Sequence, residues 1–231
     1  MFSIELAGVT IGIQNTYNYI EKQCQDYLVQ GPVDFTVSAT VEEIAEEQTK
    51  SEMLYPPGIC ESVCLYRKIC LEMLAYDCFY LHAGVVAVDG QGYAFSAASG
   101  TGKSTHIQLW LELFGERAVI INGDKPLVRE MDGVFYAFGT PWRGKEGLGE
   151  AMGVPVKALC FLERGENGIR PVPVQACIKG MMSQGVFPKD AVAMENYMDL
   201  LGRFIESIPC YGLKCTISDE AVQLAYAVMG P

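Results

Sequence analysis

A nine-residue segment constrains the fold of this chain more than any other feature. Residues Ala97–Thr105 read AASGTGKST and lie between a short apolar run, Tyr93–Ser96, and a helical pattern over His106–Gly115. A strand, a glycine-containing loop and a helix in this order are what a P-loop requires. Ala97 stands where the pattern has glycine, which alanine can replace at negative φ. The alternative, a chance glycine-rich turn, is disfavoured by the Gly-Lys-Ser-Thr tetrapeptide in this context.

In a P-loop, small residues let backbone N–H groups surround phosphate oxygens, and the helix N-terminus adds positive potential. Lys103 is then expected to reach the outer phosphates, and Ser104 is expected to ligate Mg²⁺. The segment therefore predicts a bound nucleotide with Mg²⁺. The predicted nucleotide-binding residues are Ala98, Ser99, Gly100, Thr101, Gly102, Lys103, Ser104 and Thr105.

A second candidate metal ligand follows a predicted buried strand. The apolar run Ala118–Ile121 leads into Asn122, Gly123 and Asp124. An acid at the end of a neighbouring strand is the usual partner of the P-loop serine in holding Mg²⁺. Asp124 alone would be read as a turn residue before Lys125-Pro126, and the P-loop upstream favours the metal role.

The strand entering the P-loop is predicted to be one arm of a hairpin. Leu81–Val88 is strand-like, Asp89-Gly90 is a tight-turn signal, and Tyr93–Ser96 returns toward the P-loop. This pattern favours a mixed sheet over a purely parallel one. His82 lies on the first arm, either as a hydrogen-bonded core histidine or as a group that faces phosphate or metal, whereas His106 is predicted to be structural.

A glycine-rich stretch, Gly139–Gly149, carries two cations, Arg143 and Lys145. Cations on a loop near a phosphate site can neutralise the charge that develops on a transferring phosphoryl group. The alternative is that they only keep the loop soluble. Their position among glycines in a chain poor in positive charge favours a catalytic role for both.

The composition limits the partners and the environment. A net charge of −11 argues against a broad nucleic-acid or anionic-membrane surface. Neither a membrane-spanning apolar run nor the pattern of a signal peptide is evident, so a cytoplasmic location is expected. The nine cysteines are predicted to be reduced, buried thiols.

Three parts of one compact unit are predicted. Residues 1–57 form an N-terminal α+β layer, which ends at the break Tyr55-Pro56-Pro57-Gly58. Residues 58–173 form the P-loop nucleotide-binding core. Residues 174–231 form a mainly helical part that packs on the core, with Cys210–Cys215 as a short edge strand. The sequence gives no indication of an oligomeric state.

Three segments together carry a family resemblance. Leu81–Gly90, the P-loop and Ile121–Asp124 resemble the catalytic domain of HPr kinase/phosphorylase, whose fold is similar to the nucleotide core of phosphoenolpyruvate carboxykinase. Bacterial kinases of that type with segments similar to Gly139–Trp142 and Phe161–Arg164 resemble most of the chain. For HPr kinase proper the resemblance covers residues 81–124.

The resemblance implies an α/β fold with a mixed β-sheet around the P-loop and flanking helices. It also implies ATP with Mg²⁺ and transfer of the γ-phosphoryl group to a hydroxyl acceptor in a protein, a peptide or a small molecule. Lys103 would hold the β- and γ-phosphates, Ser104 and Asp124 the metal, and His82 would face the reaction centre.

One position departs from the resemblance. HPr kinase has two adjacent aspartates at the end of this strand, one of them the general base, and Gly123 occupies the first of these positions. Two functions therefore stay open: an ATP-dependent kinase that acts on a hydroxyl, and a regulatory module that binds ATP without catalysis. An active carboxykinase is disfavoured because the chain is short for that enzyme.

Overall fold

The computed structural model describes residues 1–230, so Pro231, the last residue of the predicted C-terminal part, lies outside the described residues. Over residues 1–230 the chain forms two β-sheets and seven α-helices. The four strands of the smaller sheet are β1 (Phe2–Leu6), β2 (Val9–Gln14), β3 (Leu28–Val29) and β4 (Phe35–Ser38). The nine strands of the larger sheet are β5 (Cys78–Tyr80), β6 (Gly84–Val88), β7 (Gln91–Ser96), β8 (Ala118–Asn122), β9 (Leu127–Met131), β10 (Val134–Phe138), β11 (Gly153–Arg164), β12 (Gly168–Pro171) and β13 (Cys210–Cys215). The helices are α1 (Tyr19–Gln23), α2 (Val41–Thr49), α3 (Pro57–Glu72), α4 (Lys103–Phe114), α5 (Val174–Met182), α6 (Ala191–Ser207) and α7 (Asp219–Met229). In these residues no helix is long and apolar enough to cross a membrane.

The smaller sheet is built on the hairpin β1–β2, whose turn residues Ala7 and Gly8 both have positive φ. The strand order is β3-β1-β2-β4, with β4 parallel to β2. Alternate apolar side chains of the hairpin pack with α3 in one buried cluster. Helix α2 begins with a complete capping box, in which Thr40 and Glu43 bond to each other's backbone N–H groups.

The larger sheet is mixed, as the sequence predicts. Its order is β5-β9-β10-β11-β7-β6-β8, with β13 on β11 and β12 on β13. Strand β7 is parallel to β11 and antiparallel to β6. Because β13 pairs with both β11 and β12, the prediction of an edge strand at Cys210–Cys215 is wrong.

Helices cover both faces of this sheet, which explains the continuous apolar sequence of β6. Val85 and Ala87 belong to a buried cluster with α5 and α6. Val86 and Val88 point to the opposite face, in a cluster with α4 and α7. All five residues of β6 are buried, as expected for a strand covered on both sides.

The larger sheet curls, so that segments far apart in the strand order meet. The N–H of Glu150 donates to the carbonyl of Ile121 at 3.1 Å, and Asn122 forms a bridge with Gly149. The end of β8 therefore contacts the connection between β10 and β11. This brings the Gly139–Gly149 loop next to Asp124.

Strand β6, the first arm of the hairpin with β7, begins later than predicted. The N–H of Leu81 donates to the carbonyl of Pro126, and the N–H of Ala83 donates to the carbonyl of Leu81. The first bond continues the register of β5 with β9, whereas the second closes a tight turn around His82, so β6 begins only at Gly84. The prediction that His82 lies on a strand is therefore wrong, since His82 lies between β5 and β6.

Candidate active site

The loop between β7 and α4 has the backbone shape that its glycines allow. Gly100 and Gly102 have φ of +78° and +115°, values that L-residues other than glycine rarely adopt. Gly102 is the N-cap of α4, so no capping side chain covers the first turn of the helix. Residues 97–105 line a large cleft. The N-terminus of a twelve-residue helix thus lies in the wall of that cleft.

Arg164, at the end of β11, binds the backbone of this loop. Its Nη2 donates to the carbonyl of Gly100 at 2.5 Å, and its Nε donates to that of Thr101 at 3.1 Å. Sequence reasoning assigned no role to Arg164. The available signal was a basic residue at the end of a buried strand. Recognising its role requires knowing that β11 pairs in parallel with β7, the strand that enters the loop.

Asp124 is the centre of a cluster of basic side chains. Its Oδ1 lies 2.7 Å from Lys103 Nζ and 3.1 Å from His82 Nε2, and its Oδ2 lies 2.9 Å from Lys125 Nζ. Lys103 Nζ and His82 Nε2 are 3.4 Å apart. The structure thus brings together three of the residues that the sequence singles out, Lys103, Asp124 and His82.

The cluster keeps Asp124 ionised. Burial raises the pKa of this carboxyl, but hydrogen bonds from His82 and Lys103 and the charges of Lys125 and Lys103 lower it more. The net effect holds the pKa of Asp124 well below its usual value of 3.8. The carboxylate therefore stays negative at physiological pH, as a metal ligand must.

The donor set fits Mg²⁺ only together with a nucleotide. Ser104, half-buried in the first turn of α4, and Asp124 both line the cleft and provide a hydroxyl and a carboxylate, the hard oxygens that Mg²⁺ prefers. Within residues 1–230 no group of three or more His, Cys, Asp or Glu could hold a metal by itself. Phosphate oxygens would have to complete the ligand shell.

His82 faces this cluster, and one of its ring nitrogens is not satisfied. Its side chain is 19% exposed and lines the cleft. Nδ1 is buried and has no hydrogen-bond partner among the described residues. The imidazole is thus placed against both Asp124 and Lys103.

The two cations of the glycine-rich loop lie in different surroundings. Arg143 Nη2 is 2.8 Å from Asp26 Oδ2, and its guanidinium lies over the ring of Tyr27 at 5.7 Å from the centroid. Its charge is therefore directed toward the N-terminal layer. Lys145 lies in the exposed turn at the tip of the loop. Both residues line the cleft.

Gly123 is closely packed against the glycine-rich loop. A Cβ at this position would lie 2.8 Å from the carbonyl oxygen of Arg143 and 3.3 Å from that of Leu148. Any side chain here, including aspartate, requires the loop backbone to move.

We expect Gly123→Ala to lower the free energy of unfolding by about 1–3 kcal/mol because of this crowding. Gly202→Ala is the matched control, since it lies in α6 with nothing within 4 Å of the added Cβ. That change should raise stability by roughly 0.5–1 kcal/mol through helix propensity. Urea unfolding of both variants measures the difference, and equal effects would contradict the crowding.

His106 is structural, as predicted. Its ring is buried, and its Nε2 accepts a hydrogen bond from Trp110 Nε1 at 3.2 Å, so this nitrogen carries no proton. Burial lowers the pKa of His106 from 6.5 to about 4. Between these values the unfolded chain binds a proton that the folded chain does not.

Stability should therefore fall as the pH drops from 6.5 to 4, by about 3 kcal/mol from this residue. His106→Gln keeps an acceptor for Trp110 and cannot titrate, so its unfolding free energy should change less over the same range. Parallel urea titrations at several pH values measure this. Identical pH slopes for the variant and the wild type would exclude a contribution from His106.

The cleft is large and its charge is opposite to that of the chain. Its volume is about 1660 Å³. Among the described residues, six Lys or Arg and three Asp or Glu line it, although the whole chain has a net charge of −11. A concentration of positive charge in a concave site attracts anions.

Two groups of residues form the walls of the cleft. One group comes from α4, the end of β11 and the segment after β13, and includes Leu109, Leu162, Arg164, Thr216 and Ile217. The other group, called the N-terminal wall below, comes from α1, the segment before α3 and α3 itself, and includes Tyr19, Gln23, Tyr55, Ile59 and Val63. In the first group, Arg164 hydrogen-bonds the backbone carbonyls of Gly100 and Thr101. The glycine-rich loop lies against Asp124 at Gly144.

Comparison with known proteins gives only a distant likeness. No protein family and no curated protein matches the chain. Among solved structures, the chain is similar to the Hpr(Ser) kinase/phosphatase from Coxiella burnetii, with 11% sequence identity and a TM-score of 0.38. The match covers 64% of this chain and 93% of that chain. At this TM-score the likeness carries no conclusion about the fold and assigns no role to any residue.

Proposed function

We propose that this chain is an ATP- and Mg²⁺-dependent phosphotransferase that transfers the γ-phosphoryl group to a hydroxyl acceptor. The observation that carries the proposal is the contact of Lys103 with an ionised Asp124 beside a helix N-terminus, in a cationic cleft of an acidic protein. A lysine and a metal-binding carboxylate next to free backbone N–H groups are the parts that phosphoryl transfer uses.

Each part has a role in this proposal. Backbone N–H groups of residues 98–105 bind the phosphates, and Lys103 pairs with the outer phosphates. Ser104 and Asp124 hold Mg²⁺, which neutralises charge on the transferring group when bound. In this proposal the nucleoside lies beside the wall that contains Leu109, Leu162 and Arg164. The acceptor enters beside the N-terminal wall, which contains Tyr19, Tyr55 and Ile59. Lys145 and Arg143 stand at the acceptor side, where Arg143 would have to leave Asp26 to reach phosphate.

In the transfer step, the acceptor oxygen forms a bond to the γ-phosphorus while the bond from that phosphorus to the β,γ-bridging oxygen breaks. ADP leaves. We assign the hydroxyl proton to His82 Nε2, because the lowered pKa of Asp124 makes its carboxylate a weak base. To accept this proton, Nε2 must be unprotonated and must give up its 3.1 Å contact with Asp124.

One observation favours a second function, ATP binding without catalysis. The space beside Gly123 takes an aspartate only if the loop backbone moves, and one of the two aspartates at this place is the base in the family that the sequence resembles. Purified protein with Mg²⁺ and γ-labelled ATP, alone and with cell extract, separates the two functions. Label transferred to an acceptor supports the kinase, whereas ATP binding without hydrolysis or transfer supports the regulatory module.

A further inference from the structure

A fully buried asparagine fixes the backbone of the metal-binding turn. Asn122 Oδ1 accepts hydrogen bonds from the N–H groups of Asp124 at 2.9 Å and Lys125 at 2.6 Å. Its Nδ2 donates to both the carbonyl and the hydroxyl oxygen of Thr140, each at 3.1 Å. The orientation of the Asn122 amide, and with it the place of Asp124, thus depends on Thr140.

The hydroxyl of Thr140 also makes two hydrogen bonds with the backbone. It donates to the carbonyl of Lys125 at 2.7 Å, and it accepts from the N–H of Trp142 at 3.3 Å. Tyr66 on α3 also donates to the Lys125 carbonyl, at 2.7 Å. Thr140 is fully buried. One hydroxyl therefore joins both sides of the Asp124 turn to the start of the glycine-rich loop.

The same loop is tied to the N-terminal helices. Trp142 Nε1 donates to Ser62 Oγ at 2.9 Å, and Ser62 Oγ donates to Gln23 Oε1 at 2.7 Å. Gln23 Nε2 donates to the carbonyl of Pro141 at 3.2 Å. The ring of Trp142 stacks on that of Tyr66 at 4.2 Å. The wall that we assign to the acceptor and the turn that carries Asp124 are thus parts of one hydrogen-bonded unit.

We propose that Thr140 is a positioning residue, which sets the Asp124 carboxylate for the Mg²⁺-nucleotide complex and couples it to the N-terminal wall. This rests on the function proposed above. Groups that orient metal ligands affect metal affinity strongly although they do not touch the metal. Nucleotide binding without metal uses the P-loop backbone and Lys103, which Thr140 does not contact.

The test compares Thr140→Val with Thr140→Ser. Valine keeps the shape and removes the hydroxyl, whereas serine keeps the hydroxyl. Isothermal titration with the β,γ-imido analogue of ATP should give a dissociation constant about 10- to 100-fold higher for the valine variant when Mg²⁺ is present. In EDTA the valine variant should bind as the wild type does, and the serine variant should match the wild type in both conditions.

Equal Mg²⁺ dependence in the valine variant and the wild type would overturn the inference. So would a valine variant that loses metal-free binding to the same degree, because that indicates general damage. If Thr140→Val does not fold, as judged by circular dichroism, Tyr66→Phe removes one of the two donors to Lys125 and should weaken only Mg²⁺-dependent binding. A wild type that binds no nucleotide would contradict the proposed function itself.

Discussion

Replacing Lys103 with methionine is expected to abolish most nucleotide binding and phosphoryl transfer. The Lys103 side chain is 11% exposed, and its ammonium group lies 2.7 Å from Asp124 Oδ1 at the start of α4. The loss of a charged donor at the transferring group should reduce the transfer rate by about 10²–10³ or more. Methionine has a similar length, which isolates the effect of the charge.

The control for this change is Lys179→Met. Lys179 is exposed on α5, outside the cleft, and the substitution removes the same charge. Titration with labelled ATP and a transfer assay should give wild-type values for the control. If Lys103→Met bound and transferred as well as Lys179→Met, the segment Ala97–Thr105 would not be a phosphate site.

Asp124→Asn is expected to have a second large effect, of a different kind. The amide cannot supply the negative charge that attracts Mg²⁺, so the transfer rate should fall by about 10² or more. Binding of nucleotide in EDTA should instead be retained or strengthened. Lys103 and Lys125 no longer face a carboxylate in this variant, so both become free to pair with phosphate.

Nucleotide binding in EDTA that is retained or stronger, together with slower phosphoryl transfer, thus distinguishes Asp124 from a residue that only supports the fold. Asp89→Asn is the matched control, because Asp89 is an exposed turn residue with φ of +51°, which asparagine tolerates. Titrations with and without Mg²⁺ on both variants measure the effect. If Mg²⁺ still strengthened ATP binding to Asp124→Asn as it does in the wild type, the metal role of Asp124 would be excluded.

Local features of this fold were predictable, because their causes are local. The turns at Asp89-Gly90 and Asp132-Gly133 fix two hairpins, and the capping box at Thr40 fixes the start of α2. The contact between Lys103 and Asp124 was predictable as well, since each follows a buried strand at the same end of the sheet.

Features that depend on long-range contacts were not predictable. The place of His82 depends on the tight turn closed by the hydrogen bond from Ala83 to Leu81, which delays the start of β6 to Gly84. The crowding of Gly123 arises because the sheet curls and brings the Arg143 backbone against β8. Periodicity and turn signals contain no information on either contact.

The hydrogen bonds from Arg164 to Gly100 and Thr101 have a consequence for transferring the Ala97–Thr105 segment into another protein. The nine residues do not form the loop by themselves, since two of their carbonyl groups are hydrogen-bonded by a side chain 63 and 64 residues later in the chain. A fragment that ended after α4, or a graft of β7, the loop and α4 into another scaffold, would keep every letter of the motif. Without Arg164 those two carbonyls would lose their hydrogen bonds. A functional transfer of the segment therefore has to include β11 with Arg164.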